Sequence, residues 1–161
     1  MMAFLEQRDH RFVPVENEQK TNGLKPAILC LIDFSEASRQ ALKWAATEAS
    51  KQEAPVTVLY PYRLTQLSER ENLGKVREGI HTEAIFNFEK IAKETLGEAQ
   101  VKYEFKPEVG FINDRVYAHS HKREFSMLVI SQRMAVNNKE NMMELIDLIK
   151  FPLVIVPQSN A

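Results

Sequence analysis

The chain has little cysteine, almost no net charge and no long apolar run, and each shortage excludes a class of protein. Cys30 is the one cysteine in 161 residues, so no disulfide can form within the chain, which favours a reducing compartment. The net charge of −1 gives no basic field to attract nucleic acid or an anionic membrane. No apolar run approaches the roughly 18–20 residues of a membrane span, and the first residues lack the apolar core of a secretion signal. These features predict a cytoplasmic protein.

One stretch, residues 27–36, joins a buried strand to a helix. Six apolar residues in a row, without alternation, are typical of a strand that is buried on both faces. The run stops at Asp33, and Ser35 supplies a hydroxyl that can cap the next helix. In open parallel sheets ligands bind at the carboxyl ends of the strands, which is where Asp33 is expected to lie.

Strand and helix patterns alternate along the rest of the chain, which predicts one parallel α/β domain over residues 26–157. Apolar runs predict central strands, and the alternation near residues 101–106 predicts a half-exposed strand near a sheet edge. Gly97 is expected to end the second helix as a C-cap. The predicted elements are helices over about 35–51, 73–97 and 112–123 and a last helix carrying Met142, Leu145, Ile146 and Ile149, with strands over 56–60, 101–106, 127–130 and 153–156.

Residues 1–25 show no sustained period and are interpreted as an N-terminal extension, while 158–161 form a short C-terminal tail. Phe12 and Val13 form one of two apolar pairs in this extension. One interpretation is that the extension is a mobile or loosely docked arm. The alternative is that Phe12 and Val13 pack on the domain or on a partner subunit. Asn22-Gly23 favours a turn and marks the domain boundary.

The pattern resembles the universal stress protein family. The resemblance depends on residues 28–33 followed by Ser35-Glu36-Ser38, on Val109-Gly110, on 127–130 and on the terminal run 152–156. It implies an open five-stranded parallel sheet in the order 3-2-1-4-5 with helices on both faces, a Rossmann-like fold of the adenine nucleotide alpha hydrolase type. It also implies a homodimer joined through the last strand. An apolar edge strand needs covering or pairing, and two copies related by a two-fold axis can supply it; the expected interface residues are Leu153, Val154, Ile155 and Val156.

Many members of this family bind ATP through a Gly-x-x-Gly motif after strand four and a later Gly-Ser or Gly-Thr pair. Here the two glycine positions are Ser131 and Met134, and Lys139-Glu140 stands where the pair belongs. A Cβ blocks close approach of phosphate to backbone N–H groups, and a carboxylate repels it. The resemblance places Asp33 at the nucleoside half, and Arg133 could reach a phosphate. Asp33, Ser131 and Arg133 therefore form a vestigial nucleotide pocket, and no cofactor is expected, with ATP possible but not favoured.

Other reactive residues do not combine into a catalytic or metal site. His119 and His121, two residues apart on a helix, point about 200° from each other and cannot share an ion. Cys30 lies mid-strand among apolar residues and should be inert. No nucleophile–base pair, metal-ligand cluster or Ser/His/Asp set is placed by motif, so no enzyme is predicted.

The leading hypothesis is a non-enzymatic, homodimeric universal stress protein-like module that acts in stress response by binding other proteins, whose identity the sequence does not give. The alternative is an ATP-binding or weakly ATP-hydrolysing stress sensor with a diverged phosphate loop. A phosphoacceptor receiver domain fits poorly, because strand three ends in Lys106-Pro107 and strand five in Pro157 rather than in the acid and lysine such a domain needs.

Overall fold

Five parallel strands form one sheet in the order β3-β2-β1-β4-β5, as predicted. The computed structural model describes residues 25–64 and 72–158, so the predicted extension and tail lie outside these ranges apart from Lys25 and Gln158. The strands are β1 (Ala27–Leu31), β2 (Val56–Tyr62), β3 (Tyr103–Val109), β4 (Phe125–Ser131) and β5 (Leu153–Val156). The helices are α1 (Glu36–Gln52), α2 (Leu73–Ala92), α3 (Ile112–Ser120), α4 (Gln132–Asn137) and α5 (Lys139–Leu148), and a π-helical turn, Lys93–Gly97, continues α2.

The central strand β1 is fully buried because both of its faces are covered by helices. Ile28, Cys30 and Ile32 belong to a core cluster with α1 and α2. Leu29 and Leu31 belong to a second cluster, on the other face, with α3, α4 and α5. This double burial explains why the sequence of β1 shows no alternation of apolar and polar residues.

Helix α1 follows the sequence signals closely. Ser35 is its N-cap, and the Ser35 Oγ accepts a hydrogen bond from the Ser38 N–H at 3.1 Å. Small side chains let the helix lie close to the sheet, and the buried alanines are Ala37, Ala41, Ala45, Ala46 and Ala49. Arg39 of α1 binds Glu94 of the π-helical turn at 2.6 Å, which joins the two helices that cover this face.

The end of the second helix differs from the prediction. Gly97 does not cap it, since the backbone passes through the π-helical turn and remains helical to residue 99. Gln100, with φ 57°, is the residue that adopts the left-handed conformation. Leu73 and Ile85 of this helix are exposed, and Ala84, Phe88 and Ala92 form its buried face.

On the other face of the sheet, two large apolar residues of the helices are exposed. Tyr117 of α3 is 44% exposed and Ile146 of α5 is 53% exposed. In α3 the residue that points inward instead is His119. In β3 the expected half-exposed face carries a buried residue, Glu104, whose Oε2 accepts a hydrogen bond from Thr57 Oγ1 at 3.2 Å.

Within residues 25–64 and 72–158, no helix combines the length and the apolar character needed to cross a membrane.

Candidate functional site

Asp33 lies at the carboxyl end of β1 and organises the turn into α1. Its backbone N–H donates to Ser38 Oγ at 2.9 Å, and its Oδ1 accepts from the Ser35 N–H at 2.9 Å. Asp33 is exposed. Asp33 therefore has a structural role in the turn and also remains accessible at the edge where ligands bind in such folds.

Phe34 shapes the same edge, because its backbone is left-handed with φ 66°. This conformation is uncommon outside glycine, and it directs the ring toward the ends of β2 and β3. The Phe34 ring lies 4.8 Å from Tyr60 and 6.3 Å from Phe105, and Tyr60 stacks on Tyr62 at 5.6 Å. We call Phe34, Tyr60, Tyr62 and Phe105 the aromatic cluster. Side chains thus fill the edge next to Asp33.

The electrostatics of the aromatic cluster are unfavourable to added negative charge. Burial raises the pKa of Tyr60, and the nearby Tyr62, Asp33 and Glu83 raise it further. Burial also raises the pKa of Tyr62, although the positive charge of Arg77 partly opposes this. Both phenols therefore stay neutral at physiological pH and can only donate or accept hydrogen bonds. The predicted strand over residues 56–60 did not indicate this cluster.

Ser131 ends β4 and caps α4, which begins at the next residue. Its Oγ accepts a hydrogen bond from the Met134 N–H at 3.1 Å, and both residues are buried. The segment that directly follows β4 is therefore helical. Ser131 is thus a helix cap and Met134 a buried core residue, at the two positions that the resemblance aligned with glycines.

Topology brings Asp33 and Ser131 to the same edge, because β1 and β4 are neighbouring parallel strands. Arg133 is exposed on α4 at this edge. Among the described residues, no hydrogen bond or ion pair joins these three side chains to one another. Asp33, Ser131 and Arg133 therefore lie at the same edge of the sheet without direct hydrogen bonds or ion pairs between them.

A partly buried pair at the end of β3, His119 and Glu108, was not predicted from the sequence. His119 Nε2 lies 3.0 Å from both carboxylate oxygens of Glu108, and Arg115 Nη1 lies 3.4 Å from Glu108 Oε1. Partial burial pushes the pKa of Glu108 up, but the hydrogen bond to His119 and the charges of His119, Arg115 and Lys106 outweigh it, so the pKa lies below its ordinary value. The only signal in the sequence was the eleven-residue separation across a strand–turn–helix, which is too general to identify a pair.

Cys30 lies in the middle of β1, as predicted. Cys30 is fully buried, and this burial raises the pKa of its thiol. In residues 25–64 and 72–158 no three His, Cys, Asp or Glu side chains are grouped so that they could hold a metal ion.

Strand β5 lies at one end of the sheet and pairs only with β4 among the described strands. Its Ile155 side chain is 45% exposed, although isoleucine is usually buried. Leu153, Val154 and Val156 are half-buried. The strand therefore presents apolar side chains together with an open backbone edge.

The family model described as "Universal stress protein family" matches residues 26–138, which is more than half of the chain. The chain belongs to the universal stress protein family. The resemblance inferred from the sequence is thereby confirmed, and so is the α/β fold. Among curated protein sequences, none matches the chain significantly.

Solved universal stress proteins share this fold at low sequence identity. Universal stress protein UspA from Lactobacillus plantarum is 18% identical with a TM-score of 0.62, over 83% of this chain and 98% of that one. The universal stress protein from Archaeoglobus fulgidus in complex with dAMP is 18% identical with a TM-score of 0.58, over 83% and 98% of the two chains. A universal stress protein in complex with cAMP is 17% identical with a TM-score of 0.58, over 83% and 98%. Two of these neighbours are thus nucleotide complexes.

Proposed function

We propose that this universal stress protein is a non-enzymatic homodimer of the cytoplasm that acts in stress response by binding other proteins, without tight binding of ATP. The observation that supports this proposal is the short helix α4, formed by the segment that the family resemblance aligns with the phosphate loop. Its first turn is closed by the Ser131 cap and buries Met134.

The chemistry of phosphate binding explains why α4 matters. Phosphates are held in such sites by free backbone N–H groups that a ligand can approach closely. Here the Met134 N–H is bonded to Ser131, and the Met134 carbonyl accepts from Asn138 Nδ2 at 2.8 Å. Glu140, in the first turn of α5, adds a negative charge to the segment where other members have Gly-Ser or Gly-Thr. These features support weak or absent binding of a triphosphate.

The alternative function is a nucleotide-binding or weakly ATP-hydrolysing stress sensor that uses Asp33, Ser131 and Arg133. It is favoured by the accessible Asp33 carboxylate and by the cAMP and dAMP complexes among the structural neighbours. In this hypothesis Asp33 contacts the nucleoside, and Arg133 alone supplies positive charge to the phosphates.

Thermal unfolding with and without 1 mM Mg-ATP separates the two functions. A site with a Kd of about 10 µM would add about 2.7 kcal/mol of stability at that concentration. For a chain of this size the midpoint would rise by about 5–10 °C. We expect no such rise. A rise that is lost in Asp33→Ala and Arg133→Ala, but kept in the surface control Lys43→Ala, would establish the alternative.

The homodimer is proposed through β5, because pairing two copies of this strand would cover Ile155 and satisfy the open backbone edge. Sedimentation velocity of wild type and Ile155→Lys tests it, with Ile85→Lys as the matched control. Ile85 is exposed to a similar extent, 40% against 45%, but lies on α2, far along the sheet from β5. We expect Ile155→Lys to be monomeric and Ile85→Lys to remain a dimer. A monomeric wild type would refute the proposed interface.

A further inference from the structure

Strand β3 forms the end of the sheet opposite β5 and pairs only with β2 among the described strands. Two backbone bonds show which of its peptide groups face β2. The Val56 N–H donates to the Lys102 carbonyl at 2.9 Å, and the Gly110 N–H donates to the Tyr62 carbonyl at 2.8 Å. Because the peptide groups of a strand point alternately to its two sides, the even-numbered residues of β3 bond to β2. The N–H and carbonyl groups of the odd-numbered residues therefore point away from the sheet.

Pro107 lies within this outward-facing series, between Phe105 and Val109. The register of β3 on β2 runs without a break from Tyr103 to Val109, so the strand continues through the proline. A proline has no N–H, and its ring fills the place where the hydrogen would be. Pro107 therefore costs β3 no bond to β2, but it removes a donor from the outward side. A strand that approached from outside would meet an N–H at Phe105 and at Val109 and none between them.

The edge at β5 is different. The Leu128 N–H donates to the Pro152 carbonyl at 2.9 Å, so the even-numbered residues of this segment face β4. The residues whose peptide groups point outward are then Leu153 and Ile155, and each has an N–H. The β5 edge thus offers two consecutive outward donors with their acceptors, whereas the β3 edge is interrupted in its middle.

Charged side chains are the other common protection of an edge strand, and β3 carries them as well. The Lys106 ammonium lies 3.6 Å from Glu104 Oε1, and Arg115 Nη1 lies 3.4 Å from Glu108 Oε1. Each carboxylate of β3 is therefore paired with a cation of the same molecule, and the pairs repel an incoming strand only weakly. Pro107 is then the main obstacle to pairing at this edge.

We propose that Pro107 closes the β3 edge to strand addition, so that edge-to-edge association of this protein occurs only through β5. A sheet with two usable edges would form two-fold contacts at both, and these contacts would alternate along an endless row of molecules. With the β3 edge closed, pairing at β5 occupies the only available edge and association stops at two molecules. The inference goes beyond the proposed homodimer, because it concerns the opposite edge and does not require β5 to pair.

Sedimentation velocity of Pro107→Thr tests the proposal, since threonine restores the N–H and suits a strand. Pro61→Thr in β2 is the matched control. The Ile32 N–H donates to the Leu59 carbonyl at 3.0 Å, so the odd-numbered residues of β2 face β1, and the Pro61 nitrogen does not point to an edge. For a contact with a Kd of about 100 µM, we expect the weight-average mass of Pro107→Thr to reach about twice that of wild type at about 300 µM. Pro61→Thr should follow wild type.

Three further variants show whether the restored N–H causes the association. Pro107→Ala restores the same N–H with a smaller side chain and repeats the test if the threonine variant does not fold. Val109→Pro, added to Pro107→Thr, places a proline at the next outward-facing position and should return the mass to that of wild type. Pro107→Thr combined with Ile155→Lys retains only the β3 edge and should form dimers.

Equal masses for wild type and the folded Pro107 variants, with folding checked by circular dichroism, would overturn the proposal and assign the protection to the charged side chains. A high mass that persists after Val109→Pro would also overturn it, because the contact would then not use the β3 backbone. A monomeric wild type would refute the β5 homodimer but not this inference, which is decided by the difference between the Pro107 variants and wild type.

Discussion

Replacing Glu108 by glutamine should remove the charge from the bond that ties α3 to β3 while it keeps the shape of the side chain. Glu108 accepts from His119 at 3.0 Å and from Arg115 at 3.4 Å, and its side chain is 22% exposed. Hydrogen bonds to charged groups contribute about 1.5–3 kcal/mol and neutral ones about 0.5–1.5 kcal/mol. We therefore expect Glu108→Gln to lower the free energy of unfolding at pH 7 by about 1 kcal/mol, which lowers the midpoint by about 2–4 °C.

The pH dependence of this difference tests its cause. The pKa of Glu108 is lowered in the folded state, so its charge stabilises the fold above the unfolded pKa of about 4.5. That contribution is lost as pH falls through the folded pKa. Urea unfolding from pH 7 to pH 3.5 should thus show the gap between wild type and Glu108→Gln closing below about pH 4.5. Glu89→Gln, an exposed control on α2, should show no gap. A gap that stays constant down to pH 3.5 would refute the electrostatic reasoning.

Three other predictions concern the core and the helix caps. Ser131→Ala should cost about 1 kcal/mol in urea unfolding, because it removes the buried cap of α4, whereas Gln132→Ala beside it should cost much less. Leu145→Ala should lower the free energy of unfolding by about 2–5 kcal/mol, because Leu145 is fully buried among α3, α4 and the sheet and its truncation leaves a cavity. A variant as stable as the wild type would contradict this packing. Cys30 should react with a thiol reagent only in denaturant, and rapid labelling of the native chain would contradict its burial.

The part of the fold that could be predicted from the sequence is the part governed by local patterns. The unbroken apolar run of β1 and the Ser35 cap encode a buried strand followed by a helix, and the structure confirms both. Asp33 could be placed at the strand end for the same reason. The sheet order came from resemblance to a family, since periodicity does not specify which strands are neighbours.

The remaining features depend on tertiary contacts that a pattern does not encode. From the sequence alone, His119 is an ordinary polar residue of a helix. Its partner, Glu108, is brought next to it only by the packing of α3 on β3. The π-helical turn contains Glu94, which forms an ion pair with Arg39 of α1. The residue types within the turn do not predict it. Helix α4 was not predicted, because its six residues are too few to show a period. Ser131 was predicted as part of a nucleotide pocket and not as a helix cap.

Because the apolar residues of β1 point alternately to two sides, the core consists of two separate compartments that share one strand. Leu42 lies in the compartment under α1 and Leu145 in the one under α5, and they have no common side-chain cluster. The stability losses caused by truncating them singly should therefore sum in the double variant. The shared strand nevertheless makes each compartment depend on the other, so the molecule should lose both in a single cooperative transition.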